Sequence, residues 1–411
     1  MAEAKEKQKS KIETIEMKTI EQDIITPLLK WYDQNKRILP WRGSRDPYKI
    51  WISEIMLQQT RVEAVKLYYE RFMAELPDVH KLASAKEERL LKLWEGLGYY
   101  NRVRNMQKAA IRIEEQYQGE FPKTYDEIIQ LSGIGSYTAG AIASIAFHEP
   151  VPAVDGNVLR IISRLILYEE DILSQKAKNE VRDMLLPFMD VQGRSGDINQ
   201  ALMELGATIC VPNGAPHCEG CPWEKMCQAH QKKVWQEYPK KAARKSRRIE
   251  KKTVLIIGDG EHILLHKRPA KGLLAAMYEL PNYEGELSEK EAVSVVRALG
   301  MAPLRIQKTR KAKHIFSHIE WEMSGYRLLV EPVEYWKDNT EDDNYSQNGQ
   351  NENDGPDGQN QNIGNENDRW SEDYFWVTKE KTEKDYAIPS AFSAFTEYFD
   401  MKPGIGKKIH K

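Results

Sequence analysis

Leu131-Ser132-Gly133-Ile134-Gly135-Ser136-Tyr137-Thr138-Ala139-Gly140 is the stretch on which the reading of the first half of the chain turns. Two glycines stand two apart, and the small residues behind them can start a helix. Glycine permits the tight turn such a hairpin needs. The exposed amides of that turn, with a helix start behind them, would form an anion site suited to a DNA phosphate. The pattern is equally compatible with an ordinary turn between two helices. Around it, over residues 20–205, apolar residues recur at helical intervals: Ile24/Ile25, Leu28/Leu29 and Trp31/Tyr32, then residues 50–62 and 181–188. No alternating strand interrupts them, so this half is expected to be helical.

Two carboxylates stand out in it. Asp155, in Val154-Asp155-Gly156-Asn157-Val158, immediately precedes the helical run 158–165. It reads as an N-cap, and the same position would also hold a carboxylate on a rigid element where it could face a developing cation. Glu54 lies in Ile50-Trp51-Ile52-Ser53-Glu54-Ile55-Met56-Leu57. Held against Trp51 and Met56, its carboxyl would favour the neutral form that a general acid needs near neutral pH. Helical spacing alone also allows an exposed glutamate on a polar face.

The four cysteines, Cys210, Cys218, Cys221 and Cys227, cluster within eighteen residues, and none is left over. The tight Cys-x2-Cys pair points to metal ligation rather than disulfides, with zinc and a [4Fe–4S] cluster both accepting four thiolates. The length of 411 residues suits two domains. No apolar run approaches the ~18 residues of a membrane-spanning helix. The first 17 residues mix Lys and Glu without an apolar core, which argues against a secretory signal or a lipid-modified start, so a cytoplasmic location is expected. The net charge of −2 conceals an uneven distribution. Residues 338–369 hold nine acidic residues and one basic, and eight basic residues fall within 240–252. The rest of the chain is mildly basic, which permits a polyanionic partner without requiring one.

The expected organisation is a charged extension (1–18), a helical domain with the cysteine loop (19–229), a basic linker (230–252) and a second, α+β domain (253–400). In the second domain, residues 253–257 and 262–266 read as strands around an Asp259-Gly260 hairpin turn, and residues 288–299 as a helix. Ile319, Trp321 and Met323 alternate with Glu320 and Glu322 as in a half-buried strand. Residues 338–369 contain nine asparagines and almost nothing apolar, so they are expected to be a disordered acidic insertion. Flanked by strand-like stretches at 326–330 and 374–377, the insertion is read as a lengthened hairpin loop that a short Gly/Ser turn could replace.

Taken together, the chain resembles the MutY-type adenine DNA glycosylases of the helix-hairpin-helix superfamily over residues 20–400. The resemblance rests on Leu39-Pro40-Trp41-Arg42, Arg45-Asp46-Pro47-Tyr48, Ser53-Glu54-Ile55-Met56-Leu57-Gln58-Gln59-Thr60 and Gly96-Leu97-Gly98-Tyr99-Tyr100. It rests equally on the Gly133/Gly135 hairpin, Asp155-Gly156-Asn157, the cysteine cluster and Phe316-Ser317-His318. It implies an all-α helix-hairpin-helix glycosylase domain with a [4Fe–4S] loop, followed by an α+β Nudix-like domain that senses the lesion. The implied partner is duplex DNA containing adenine opposite 8-oxoguanine or guanine. A monomer is expected, associated with the nucleoid when bound to DNA and not with membranes.

On this resemblance Glu54 protonates the flipped adenine, Asp155 stabilises the oxocarbenium-like sugar, and Tyr137 and Asn157 are their hydrogen-bonding partners. Arg42 resembles a contact to the extruded base. Gln59 and Tyr99 resemble wedge residues that enter the stack, with Thr60 and Leu97 near the opposite base. Gly133 and Gly135 hold DNA, Phe316, Ser317 and His318 form the lesion-reading loop, and the four cysteines hold the cluster. The chain departs from the family pattern in the first cysteine interval, where 211–217 is seven residues rather than six. The acidic metal-binding Nudix helix is also missing, because Ala292, Val293, Val295 and Val296 occupy the candidate helix, so pyrophosphatase activity is not expected. Alternative readings are an endonuclease III-like glycosylase/lyase, which would need a lysine where Tyr137 stands, and a non-catalytic DNA-damage-binding protein.

Overall fold

Asp46 starts a helix by accepting the Tyr48 amide at 2.9 Å, with Pro47 in the first helical position, where its missing N–H leaves nothing unsatisfied. That helix, α2 (Pro47–Leu57), follows α1 (Thr26–Asn35) and precedes α3 (Val62–Glu75), α4 (Asn101–Tyr117), α5 (Ser136–Phe147), α6 (Gly156–Ile166), α7 (Gln175–Leu185) and α8 (Ser195–Thr208). The computed structural model describes residues 21–242, 246–332, 373–400 and 407–409. The chain divides into two units between Arg244 and Lys245. The sequence-predicted extension 1–18 and insertion 338–369 lie outside the described residues. No described helix is long and apolar enough to cross a membrane.

In the first unit α6 is enclosed on its apolar face, burying Val158, Leu159, Ile161, Ile162 and Leu165 against Leu28, Leu29 and Tyr32 of α1 and Ile198, Ala201, Leu202 and Leu205 of α8. Trp223, from the cysteine loop, enters the same core and donates its ring N–H to the Ile24 carbonyl at 2.9 Å. α2 is buried nearly all round, including Ser53 and Glu54. The surface-helix alternative for Glu54 therefore does not apply.

The second unit is a mixed sheet between helical layers. β1 (Arg248–Gly258) and β7 (Ile319–Val330) pair in parallel from Arg248 and Ile319 to Gly258 and Leu329. β1 turns through Asp259-Gly260 into β2 (His262–Lys267), and Asp259 accepts the Glu261 and His262 amides, as the Asp-Gly signal predicts. β3 (Tyr278–Glu279) and β4 (Asn282–Glu284) pair with β2 and β1. A helix, α9 (Glu289–Ala298), leads to β5 (Pro303–Lys308) and β6 (Ala312–Ile315), which both pair with β7, and β8 (Tyr374–Thr378) pairs with β2. A short β9 (Lys407–Lys408) closes on β5.

β7 is covered on both faces, not one. Its Ile319, Trp321 and Met323 join the layer of Phe392, Phe395 and Phe399, while Tyr326, Leu328 and Val330 join Ala292 and Val296 of α9. The alternation read from the sequence was real, but each half of the strand buries its opposite face. Glu320 is buried as well, paired with Lys313.

The hairpin expected between β7 and β8 is not formed. β7 runs parallel to β1, β1 antiparallel to β2, and β2 antiparallel to β8, so β7 and β8 are parallel and lie three strands apart. At about 4.8 Å per strand the gap is ~14 Å, and the chain must also return along the sheet, which makes this a crossover that usually takes a dozen or more residues. A two-residue Gly/Ser turn in place of residues 333–372 is therefore expected to strip β8 from β2, whereas a linker of about fifteen residues should keep the fold. Amide exchange at Ile263 and Leu265, fast in the first variant and slow in the second, checks this.

Candidate active site

The hairpin glycines bring Tyr137 into the site. Gly133 has φ +76, and a Cβ there would lie 2.6 Å from that of Asn105. Gly135 caps α5 with an extended backbone, leaving Gly133, Gly135 and Ser136 exposed while Ile134 turns inward. In the first turn of α5 the Tyr137 hydroxyl donates to Glu54 Oε2 at 2.6 Å and lies 3.2 Å from Met203 Sδ. Burial pushes the Glu54 carboxyl up to about 7; the Tyr137 hydrogen bond opposes this and the nearby negative charge of Asp155 adds to it. Burial, with Glu54 and Asp155 close by, raises Tyr137 well above the usual phenol range, so it remains a neutral donor.

Asp155 is both cap and candidate catalyst. Its Oδ1 accepts the amides of Asn157 and Val158 at 2.9 and 2.8 Å, and its Oδ2 accepts Asn157 Nδ2 at 2.7 Å. Burial raises its carboxyl, while these N–H donors and the nearby Arg160 act in the opposite direction. Asn157 in turn accepts Arg160 Nη2 at 2.7 Å. Gly206 of α8 makes room for it, since a Cβ there would fall 2.6 Å from that of Asn157.

Arg42, assigned by resemblance to the extruded base, is anchored: it donates to Glu204 Oε2 at 2.7 Å and to the Arg37 carbonyl at 3.1 Å. Arg37 completes the arrangement with two side-chain bonds to Glu204 at 2.7 and 3.0 Å. Burial alone would raise Glu204, but the two guanidiniums more than offset it and hold the carboxyl at about 2. Glu204 was missed in the sequence although it carries the signal that singled out Glu54, a lone acid among apolar residues (Ala201-Leu202-Met203-Glu204-Leu205).

Of the other sequence-predicted DNA-contact residues, four stand on loops of the first unit and three on a loop of the second. Gln59 is exposed with φ 59, and Tyr99 is 48 % exposed with φ 49; Thr60 is half-buried and Leu97 buried. Phe316, Ser317 and His318 form the tip between β6 and β7. Phe316 packs on Trp321 at 4.9 Å between ring centres, and Ser317 and His318 are exposed.

The cysteines stand at the far end of α6. Arg160 reaches the Cys210 carbonyl at 2.8 Å, and Arg164 donates to Cys210 Sγ at 3.2 Å and to the Val211 carbonyl at 3.1 Å. The long first interval is taken up by a turn at Gly214, φ +78, before the His217 amide bonds to Ile209. Burial raises the thiols of Cys218, Cys221 and Cys227, and each is raised further by neighbouring cysteines, Cys221 to about 12. Among the described residues no three His, Cys, Asp or Glu side chains converge as ligands of one ion.

Residues 52–187 match the family model described as HhH-GPD superfamily base excision DNA repair protein, and residues 253–398 match a NUDIX domain. Adenine DNA glycosylase of Mus musculus is 36 % identical over 362 residues, covering 74 % of this chain and 70 % of that protein. The chain belongs to the adenine DNA glycosylase family. Its likeness to the adenine DNA glycosylase of Buchnera aphidicola subsp. Acyrthosiphon pisum is 35 % over 314 residues, covering 76 % of this chain and 88 % of that one. Among solved structures, a thermostable thymine-DNA glycosylase is 27 % identical with a TM-score of 0.46, covering 52 % of this chain and 98 % of that one.

In a glycosylase of this family the close approach at Gly206 is a sensitive point. Gly206→Ala must displace Asn157, and with it the Asp155 carboxylate. Overpacking of this kind costs about 1–3 kcal/mol. The expected result is a lower Tm and a rate loss larger than any loss of DNA affinity, read by thermal unfolding and single-turnover excision.

Proposed function

We propose that this glycosylase hydrolyses the N-glycosidic bond of adenine opposite 8-oxoguanine or guanine in duplex DNA, without strand cleavage. The observation that carries the reading is the Glu54–Tyr137 pair beside Asp155: one carboxyl buried and biased neutral, the other held by three N–H donors. Glu54 donates its proton to the leaving adenine, with Tyr137 fixing its rotamer. Asp155, ionised, faces the positive charge that develops on the sugar, and Asn157 orients it. Arg42, held by Glu204, supplies a fixed cation beside the base. Gln59 and Tyr99 enter the stack as the adenine leaves, Thr60 and Leu97 lie by the opposite base, and the Gly133/Gly135 turn holds a phosphate. Ser317, on a loop anchored by Phe316 and flanked by His318, reads the opposite lesion.

Tyr137 stands where a lyase would need a lysine, which favours the monofunctional reaction over the endonuclease III-like one. The pairing of Glu54 with Asp155 favours catalysis over damage binding alone. The chain acts as a monomer, in the cytoplasm and on the nucleoid.

Cys210, Cys218, Cys221 and Cys227 would hold a [4Fe–4S] cluster. The donors are four thiols, and Arg164 directs a cation at Cys210, which suits a thiolate bound within a negatively charged centre. Bound there, it would supply a structural cross-link and positive iron that holds the cysteines as thiolates, the form that burial and neighbouring cysteines disfavour at Cys218, Cys221 and Cys227. Purified protein is expected to be yellow-brown with about four irons per chain; zinc without iron in anaerobic preparations would overturn the assignment.

Glu54→Gln keeps the shape of the side chain but cannot deliver the proton, so adenine release from an adenine:8-oxoguanine duplex is expected to fall by at least ~10²-fold while duplex binding survives. Near-normal single-turnover excision would remove Glu54 from the acid role. The pH profile follows from the two carboxyls. Glu54 works protonated, so excision falls as pH rises through about 7. Asp155 works ionised, so excision also falls in acid, at a pH moved upward by its burial. A bell-shaped single-turnover profile is expected in wild type, with the alkaline limb absent from the residual activity of Glu54→Gln.

A further inference from the structure

Arg102, in the first turn of α4, joins two loops that are far apart in sequence. Its Nη1 donates to the carbonyls of Ile55 at 2.6 Å and Gln58 at 2.8 Å, with Met56 at 3.5 Å. Its Nη2 donates to Leu97 at 2.9 Å and Gly98 at 3.1 Å. The first group contains the orphan carbonyls at the end of α2, where a cation also complements the helix dipole. The second group is the turn that leads into α4. The guanidinium lies 5.2 Å from the Trp94 ring centre and 5.7 Å from that of Tyr99, and its Nε is buried without a hydrogen-bond partner.

The residue that follows each bonded loop is the one with an unusual backbone: Gln59 after Gln58, φ 59, and Tyr99 after Gly98, φ 49. Left-handed backbone at a non-glycine residue carries strain that persists only where the surroundings over-determine it. Here the surroundings are the carbonyls gathered by a single side chain. The fork geometry is specific to arginine, because a lysine ammonium lacks the planar spread to serve both loops at once.

We propose that Arg102 is the positioning residue for the Gln59/Tyr99 pair, setting the spacing of the two side chains and so controlling extrusion of the base rather than cleavage of its bond. The proposal rests on the reading above that these two residues enter the DNA stack. Gln59 and Tyr99 come from separate loops, and Arg102 is what makes them one device.

The test is a double-mutant cycle on the full chain with its cluster. Arg102→Lys is combined with Gln59→Ala/Tyr99→Ala, and extrusion is read from the fluorescence of 2-aminopurine in place of adenine opposite 8-oxoguanine. In parallel, single-turnover excision is measured for adenine opposite 8-oxoguanine and opposite an abasic analogue, where no pair has to be parted. Arg102→Lys is expected to slow extrusion and paired excision by roughly 10²-fold, with a much smaller loss opposite the abasic analogue. In the Gln59→Ala/Tyr99→Ala background it is expected to change extrusion by less than about twofold, because coupled residues are not additive. Equal losses in both backgrounds, or equal losses on both substrates, would give Arg102 a general structural role and overturn the proposal. Wild-type extrusion in Gln59→Ala/Tyr99→Ala would instead overturn the reading beneath it. Should Arg102→Lys not fold, Arg102→Gln, whose shorter amide removes the fork without adding a charge of opposite sign, takes its place in the cycle; failure of both to fold also counts against a positioning role.

Discussion

Asp155 holds the first turn of α6 by the ordinary chemistry of a helix cap, taking the amides of Asn157 and Val158 on one oxygen and the Asn157 side chain on the other. A cap of this kind is worth about 1 kcal/mol, but here it also fixes the orientation of a buried carboxylate. The rest of the helix continues from that point. Arg160, one turn on, collects Asn157, the Gly206 carbonyl and the Cys210 carbonyl, and Arg164, a further turn on, collects Val211, Cys210 and the Tyr238 carbonyl. One helix therefore carries the candidate catalytic carboxylate at one end and the cysteine loop at the other. Because its apolar face is sealed between α1 and α8, neither end can shift alone.

Three buried carboxyls near one another show how partners, not burial, divide the work. Glu54 has one neutral donor, Tyr137, and is biased towards its acid form. Asp155 has three N–H donors, which favour the ionised form against its burial. Glu204 has two guanidiniums and is the strongest acid of the three. Each residue's neighbours decide whether it gives a proton, faces a cation or anchors arginines. The same site uses all three.

Much of this was legible in the sequence. Helical periodicity marked the first unit, the Asp-Gly pair marked the β1–β2 turn, and the isolation of Glu54 among apolar residues raised its burial as one of two readings, because these signals are local. Glu204 carried the same signal, yet its meaning depends on Arg37 and Arg42, about 160 residues away in the chain, and no spacing rule connects them. Arg102 was invisible for a similar reason: its partners are backbone carbonyls, which leave no trace in residue identity. The placement of β8 was misread because adjacency along the chain was taken as adjacency in the sheet. Strand order is a tertiary choice, here set by the parallel pairing of β1 with β7, and the alternation of Ile319, Trp321 and Met323 could not reveal that β7 lies inside the sheet with both faces covered.

That strand order bears on how the protein is made. β2 acquires its outer neighbour only when β8 emerges, since His266 pairs with Tyr374 and Ile263 with Val377. During synthesis from the N-terminus, a strand rich in Ile and Leu therefore waits with an unpaired edge while roughly a hundred further residues are added, and such an edge is a template for pairing between chains. The length of the connection between β7 and β8 thus sets a time as well as a distance. Every residue inserted there lengthens the period in which a nascent chain is open to aggregation and to chaperones, while leaving the finished sheet unchanged.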